Sequence, residues 1–198
     1  MADKGVFYKI DNDGYIISAI ATDDFTIIAD PDKSVDLLKQ QIHKHFEIMD
    51  LRHINWLLGV KITQNLERSH NLSLSQQSYI EQILTCFGLE ESRTATTPLE
   101  PGIDLTPDSP SVSSTLLTPS EKTKYCEMIG SLMYASVMTC SDITFAVSSL
   151  SQYLETPFEG CHLCFSLLIG HESIQLVLGG SQCRITSHSD AYWASHLH

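Results

Sequence analysis

Three short runs near the start of the chain are dominated by β-branched and aromatic residues: Val6 to Ile10, Tyr15 to Ile20 and Phe25 to Ala29. The turn signal "DNDG" at Asp11 to Gly14 separates the first two, and the pair Asp23 and Asp24 separates the second from the third. The pattern predicts three strands joined by tight turns. A helix follows, with Asp32 or Ser34 as its cap and Leu38, Ile42 and Phe46 as a buried stripe at four-residue spacing. Asn55 to Thr63 and Asn71 to Ser75 are again strand-like, and the polar stretch "QNLERSH" between them suits a hairpin with a longer loop. Tyr79, Ile80, Ile83, Leu84 and Phe87 then mark one face of a second helix. Ser75 is its expected N-cap, and Gly88 sits where a left-handed C-terminal residue is needed.

From Thr97 to Thr118 the periodicity stops. This stretch holds four of the seven prolines among many Ser and Thr residues and reads as a linker or extended strap. Two more helices are expected beyond it. One buries Met128, Ile129, Leu132, Met133 and Val137; the other buries Ile143, Ala146, Val147, Leu150, Tyr153 and Leu154. Ser141 is placed to cap the latter, and Pro157 follows its end. The stretch "FEGCHLCFSLLIGHESIQLVLGG" after Pro157 is apolar without a clean period of either kind. A last strand is expected from Gln182 to Thr186. The predicted fold class is α+β.

Composition narrows the setting. With 198 residues and 42% hydrophobic content, the chain can bury one ordinary core or two small ones. No run of eighteen apolar residues occurs, and Met1 is followed by Ala2, Asp3 and Lys4 without an apolar segment. That predicts neither a membrane span nor a secretory leader, and an intracellular location in cytoplasm or nucleus. The six scattered cysteines are then expected as thiols. Cys161 and Cys164 have the spacing of zinc ligands, but zinc needs a second pair, and the nearest candidate, His171, lies in an apolar segment. His188, His196 and His198 read as solvated terminal residues, and His43 and His45 as the polar side of the first helix. Twelve basic against 24 acidic residues leave a net charge of −12, which opposes attraction to a phosphate backbone. Arg52, Lys61 and Arg68 accordingly read as solvated.

Asp23 and Asp24 carry the candidate chemistry. Adjacent hairpin residues point different ways, and two charges ~4 Å apart repel by only ~1 kcal/mol in water, several-fold more when partly buried. A divalent cation relieves that repulsion, and magnesium in phosphoryl-transfer sites is held by one or two carboxylates. From the pair alone, two solvated residues at a surface turn is the favoured reading, because Asp is a common turn residue.

The wider order of blocks changes that reading. Strand, "TDD", strand and helix are followed by "FEIMDLRHINWLLGVKIT", "LSLSQQSYIEQIL", "TPLEPG", "YCEMIGSLMYASVMTCSDITFAVSSLSQYL" and "SHSDAYWAS". Together, over nearly the whole chain, these blocks resemble the C-terminal part of the reverse transcriptase of copia-type retrotransposons. The family's palm hairpin carries an x-Asp-Asp motif. The resemblance therefore implies Asp23 as the principal magnesium ligand, Asp24 as its supporting neighbour, and an RNA/DNA primer-template as partner. Ala21 and Thr22 stand where the family often has an aromatic or aliphatic residue followed by Val. By the same resemblance, residues 1–96 are the end of a polymerase palm and the start of its thumb, with Trp56 anchoring their junction. Residues 97–122 are a linker, 123–179 a helical connection, and 180–198 the beginning of a ribonuclease H domain. In that last block Asp190 matches the first carboxylate of a second metal site, and Tyr192 replaces the next.

The resemblance also implies an incomplete enzyme. The family places a third carboxylate on a palm strand upstream of the hairpin, yet only about twenty residues precede Asp23, and Asp11 and Asp13 read as turn residues. The remaining ribonuclease H carboxylates are expected beyond His198. Cys140 and Ser141 replace the family's Arg-Pro before Asp142, and Cys161 to Leu176 holds no Lys or Arg where the family has a basic helix. The expectation is a reverse transcriptase fragment that is inactive alone. The alternative is a non-catalytic remnant with weak nucleic-acid or protein binding. Unpaired sheet edges predict self-association in either case.

Overall fold

The computed structural model describes residues 4–12, 14–30, 33–65, 71–99, 118–152, 161–171 and 174–179. By its internal contacts the chain divides into two units, Met1–Leu58 and Gly59–His198. It is a mixed helix and sheet protein, as the α+β expectation has it.

In the first unit, β1 (Val6–Asp11), β2 (Gly14–Ala21) and β3 (Asp24–Asp30) form an antiparallel sheet in chain order. The three expected strands are all present, each slightly longer than its apolar run. Two-residue turns set the register, so that Asp11 faces Gly14 and Ala21 faces Asp24. Helix α1 (Lys33–His43) follows and packs against β3. Leu38 and Ile42 are half-buried, but Phe46 is 69% exposed. The expected stripe ends early because the amides of His45 and Phe46 both turn back onto the Ile42 carbonyl and close the last turn. Of the two proposed caps, Asp32 lies outside the described residues and Ser34 is inside the helix. His43 and His45 are exposed, as expected.

Beyond α1, the Lys39 ammonium pairs with Asp50 at 3.0 Å, and the Arg52 amide donates to the other Asp50 oxygen at 2.8 Å. The Arg52 amide foremost, and then Lys39, hold this carboxyl below its usual range. The two-residue strand β4 (Trp56–Leu57) closes the unit, and Trp56 is about half in water. Ser18 alone among the described residues of this unit is buried, so its apolar side chains are packed on one side at most.

In the second unit, β5 (Val60–Asn65), β6 (Asn71–Ser75) and β7 (Leu176–Gly179) are antiparallel neighbours in that order. The single strand expected from Asn55 to Thr63 is interrupted because Leu58 and Gly59 take φ of 49° and 74°, the double-positive pattern of a tight hairpin turn. Along β5 the alternation is clean, with Val60 and Ile62 buried and Lys61 exposed. The strand expected at Gln182 to Thr186 lies outside the described residues.

Helix α2 (Gln77–Phe87) has Gln76 rather than Ser75 at its N-cap position. The Ser75 hydroxyl still accepts the Gln77 amide, at 3.3 Å, from one residue further out. Gly88 ends the helix at φ 70°, as expected. Its amide bonds to the Thr85 carbonyl and that of Leu89 to the Leu84 carbonyl, the paired bonds of a Schellman stop.

Helix α3 (Pro119–Met138) begins on a capping box that the strap reading passed over. The Thr118 hydroxyl accepts the Glu121 amide, and the Glu121 carboxylate accepts the Thr118 amide at 2.9 Å and its hydroxyl at 2.6 Å. Tyr125, Met128, Ile129, Leu132, Ala135 and Ser136 are its buried face. Met133 and Val137, expected inside, are 46% and 77% exposed. At 100° per residue they continue the helical sweep past the Ile129–Ser136 edge of that face and emerge into water.

The Glu121 carboxyl is held below its usual range by the Thr118 hydroxyl and then the Thr118 amide. A carboxyl depressed by folding contributes stability above its unfolded value and loses it as pH falls through the folded one. Protection of the amides in the first turn of α3, measured against their intrinsic exchange rates at each pH, is therefore expected to fall as pH drops below the ordinary glutamate range. Glu121→Gln should flatten that dependence, and an unchanged pH profile in this variant would remove the capping role.

A 3-10 turn (Ser141–Ile143) leads into α4 (Thr144–Leu150), which buries Ile143, Ala146, Val147 and Leu150 as expected. Ser141 lies inside the turn and caps nothing, while Tyr153 and Leu154 lie outside the described residues. The apolar stretch after Pro157 forms α5 (Cys161–His171), which contacts α2, α3 and α4 and buries Cys164, Phe165, Leu167 and Leu168. A helix enclosed by three others needs no polar face, which is why its sequence shows no period. The Tyr125 hydroxyl donates to the Leu150 carbonyl, and the Ala95 amide to that of Ser166, tying the chain after α2 to α5. Among the described residues no helix is long and apolar enough to cross a membrane.

Candidate functional site

The β2–β3 hairpin carries the candidate carboxylates. Because Ala21 closes the ladder opposite Asp24, Thr22 and Asp23 are the two turn residues and Asp24 is the first residue of β3. Both carboxylates are exposed. Strand alternation places Asp24 on the face shared by Thr26, Ile28 and Asp30, with the small Ala21 and Ala19 across from its end of that face.

The turn is held in an uncommon conformation. Thr22 has φ of 53°, a left-handed value that its β-branched side chain disfavours by on the order of 1–2 kcal/mol. Asp23 does not share a positive φ, so the turn follows the pattern that favours glycine at its first central position. An unbroken ladder from Tyr15–Asp30 to Ala21–Asp24 enforces this geometry from behind.

Two adjacent hard oxygen donors suit magnesium in kind, and the surrounding exposure leaves room for waters and phosphate oxygens. In number they fall short of a full protein set: among the described residues no group of three or more His, Cys, Asp or Glu is placed to hold a metal. Asp190 and Tyr192 lie outside the described residues, as do His188, His196 and His198. Cys164 of the zinc-like pair is buried, and its thiol donates to the Pro98 carbonyl at 3.3 Å. Cys86, Cys126 and Cys140 are also thiols.

Sequence reasoning missed one buried polar contact. Gln76 is 1% exposed; its Oε1 accepts the Thr139 hydroxyl at 2.7 Å, and its Nε2 has no partner among the described residues. The same hydroxyl lies 3.6 Å from the Cys140 sulfur, whose thiol is pushed up by burial. A Gln ahead of a helix resembles an ordinary capping residue, so nothing local marks its partner 63 positions away.

Residues 1–101 match the family model described as reverse transcriptase (RNA-dependent DNA polymerase). The chain belongs to the reverse transcriptase family. It is 30% identical over 201 aligned positions to the retrovirus-related Pol polyprotein from transposon TNT 1-94 of Nicotiana tabacum, covering 99% of this chain and 15% of that relative. It is 26% identical over 194 positions to a putative transposon Ty5-1 protein of Saccharomyces cerevisiae, covering 96% of this chain and 60% of that one. The retrovirus-related Pol polyprotein from transposon RE1 of Arabidopsis thaliana is 26% identical over 200 positions, with 98% of this chain and 13% of the relative covered. No solved structure matches. The copia-type resemblance read from the residues is thus borne out, and this reverse transcriptase chain corresponds to a part of a transposon polyprotein, spanning less than two thirds of each of these relatives.

Proposed function

We propose that the Asp23–Asp24 hairpin is the metal-binding hairpin of a copia-type polymerase palm. In this reading Asp23 is the principal magnesium ligand and Asp24 its supporting neighbour. The observation that supports it is the pair's position at the tip of a two-residue antiparallel hairpin inside the matched region. Magnesium bound there supplies charge neutralisation at the phosphates of an incoming nucleotide. The chain's own part is to present two carboxylates from a rigid ladder, with the side chains of Ala19 and Ala21 too small to crowd them. Completing the site takes a further carboxylate from a longer polypeptide, so the 198-residue chain alone does not extend a primer. Residues 1–96 correspond to palm end and thumb start, 97–122 to a linker, and 123–179 to a helical connection. Asp190 is then a vestigial ribonuclease H position.

The test places this hairpin in a working polymerase. Residues 1–101 replace the corresponding segment of an active copia-type relative, and primer extension on an RNA template is measured with magnesium. Extension is expected, with Asp23→Asn slowing it by about a hundredfold or more and Asp24→Asn by less. Parental rates in both variants would sink the assignment.

The net charge of −12 favours a second reading, a remnant that binds nucleic acid weakly and catalyses nothing. Titration of labelled primer-template with the unmodified chain separates the two. Tight binding at low salt that weakens steeply as salt rises belongs to a polymerase part; weak binding or none at low salt belongs to a remnant.

A further inference from the structure

Among the described residues β1 is the outer strand of the first unit's sheet, and both its faces meet water. Val6, Tyr8 and Ile10 on one face are 45%, 75% and 72% exposed, and Phe7 on the other is 54% exposed. The second face also carries Lys9 and Asp11, so the strand's apolar character is concentrated on the Val6, Tyr8 and Ile10 face, which stands in water. The usual protections of an edge are missing from it: its pairing with β2 runs unbroken from Val6 to Asp11, with no bulge, no proline and Lys9 as its one basic side chain.

The ladder's phase shows which backbone groups face outward. The Ile20 amide donates to the Gly5 carbonyl at 2.9 Å, so Gly5, Phe7, Lys9 and Asp11 direct their amides and carbonyls toward β2. Val6, Tyr8 and Ile10 direct theirs to the open side. The outward backbone and the more exposed apolar face thus belong to the same three residues.

We propose that this edge is a homodimer interface, in which β1 pairs antiparallel with β1 of a second copy about a two-fold axis through Tyr8. Such an axis keeps matching faces on one side and sets outward residues opposite outward residues. Centred on Tyr8, the pairing opposes Tyr8 to Tyr8 and Val6 to Ile10 twice, engaging all three outward residues of each copy. Centred on Phe7, it sets Ile10 against Lys4; centred on Lys9, it opposes two ammonium groups directly, which is destabilising. The Tyr8 register opposes apolar to apolar at every outward position, and on the other face it sets Phe7 against Lys9 without bringing like charges together. It also runs the apolar face from Ile28 and Ile17 of one copy to those of the other.

The opposite edge explains why assembly stops at two. On β3 the same phase turns Phe25, Ile27 and Ala29 outward. The self-pairing that engages all three, centred on Ile27, sets Asp24 opposite Asp30 of the other copy twice. Like charges in direct opposition disfavour this fullest pairing of the β3 edge, so the β1 edge is the better self-partner and assembly is expected to close as a dimer.

Sedimentation of the full chain over a concentration series is expected to approach twice the 22.1 kDa chain mass. Tyr8→Lys should stay monomeric at the same concentrations with its far-ultraviolet spectrum unchanged. Under mild oxidation Tyr8→Cys should give a disulfide-linked dimer well above the wild-type background. The two Tyr8 Cα atoms of a bonded pair lie about 5.5 Å apart, within disulfide reach. Val6→Cys should not exceed that background, since its copies lie four residues apart along the strands. A monomer at every concentration, a dimer indifferent to Tyr8→Lys, or equal cross-linking from positions 6 and 8 would overturn the proposal. If Tyr8→Lys unfolds the sheet, the cross-linking comparison decides.

Discussion

Phe165→Ala is expected to destabilise the second unit by about 3–5 kcal/mol, read as a lowered urea midpoint at constant slope. The Phe165 ring is fully buried and meets the Phe87 ring edge-on at a centroid distance of 5.4 Å. Alanine there removes the transfer energy of the ring and leaves a cavity where α5 meets α2. Helices on three sides cannot all move in to fill it. Phe145→Ala is the control, because Phe145 is 77% exposed and its removal is expected to change stability by no more than about 0.5 kcal/mol. Equal effects from the two substitutions would mean that α5 is not part of this core.

Thr139→Val should cost about 1–3 kcal/mol despite preserving shape. It removes the donor to the Gln76 Oε1 and leaves both ends of a buried amide unpaired. Gln76→Leu combined with Thr139→Val replaces both partners by apolar groups and is expected to return most of the loss, since no polar atom of the pair is then stranded. A double-mutant cycle on urea midpoints measures the coupling. Additive single effects would mean that the 2.7 Å contact carries no energy.

The fold was legible where burial is one-sided or periodic. The three N-terminal strands show as β-branched runs broken by turn residues, and α2 shows as a repeating face ended by Gly88. Legibility failed where context decides. The start of α3 follows proline-rich sequence, so "TPSE" reads as part of the strap although Thr118 and Glu121 spell out a capping box. Met133 and Val137 read as inward and face water instead, because apolarity alone does not locate the edge of a helical face. The last helix has no polar side to give it phase. At the candidate site, Asp23 and Asp24 were legible as a pair in a turn and gained meaning from the order of blocks around them. The left-handed Thr22 was not, since nothing in a threonine announces positive φ.

That threonine also bears on the order in which the hairpin forms. A turn residue that resists the turn conformation is a poor nucleus, so β2 and β3 are not seeded at the Thr22–Asp23 tip as glycine-bearing hairpins are. The cross-strand energy lies instead in apolar pairs such as Ile17–Ile28 and Ile16–Ala29, toward the far end of the ladder. The tip that presents the two carboxylates is therefore expected to settle into its left-handed turn only after the apolar ladder behind it has formed.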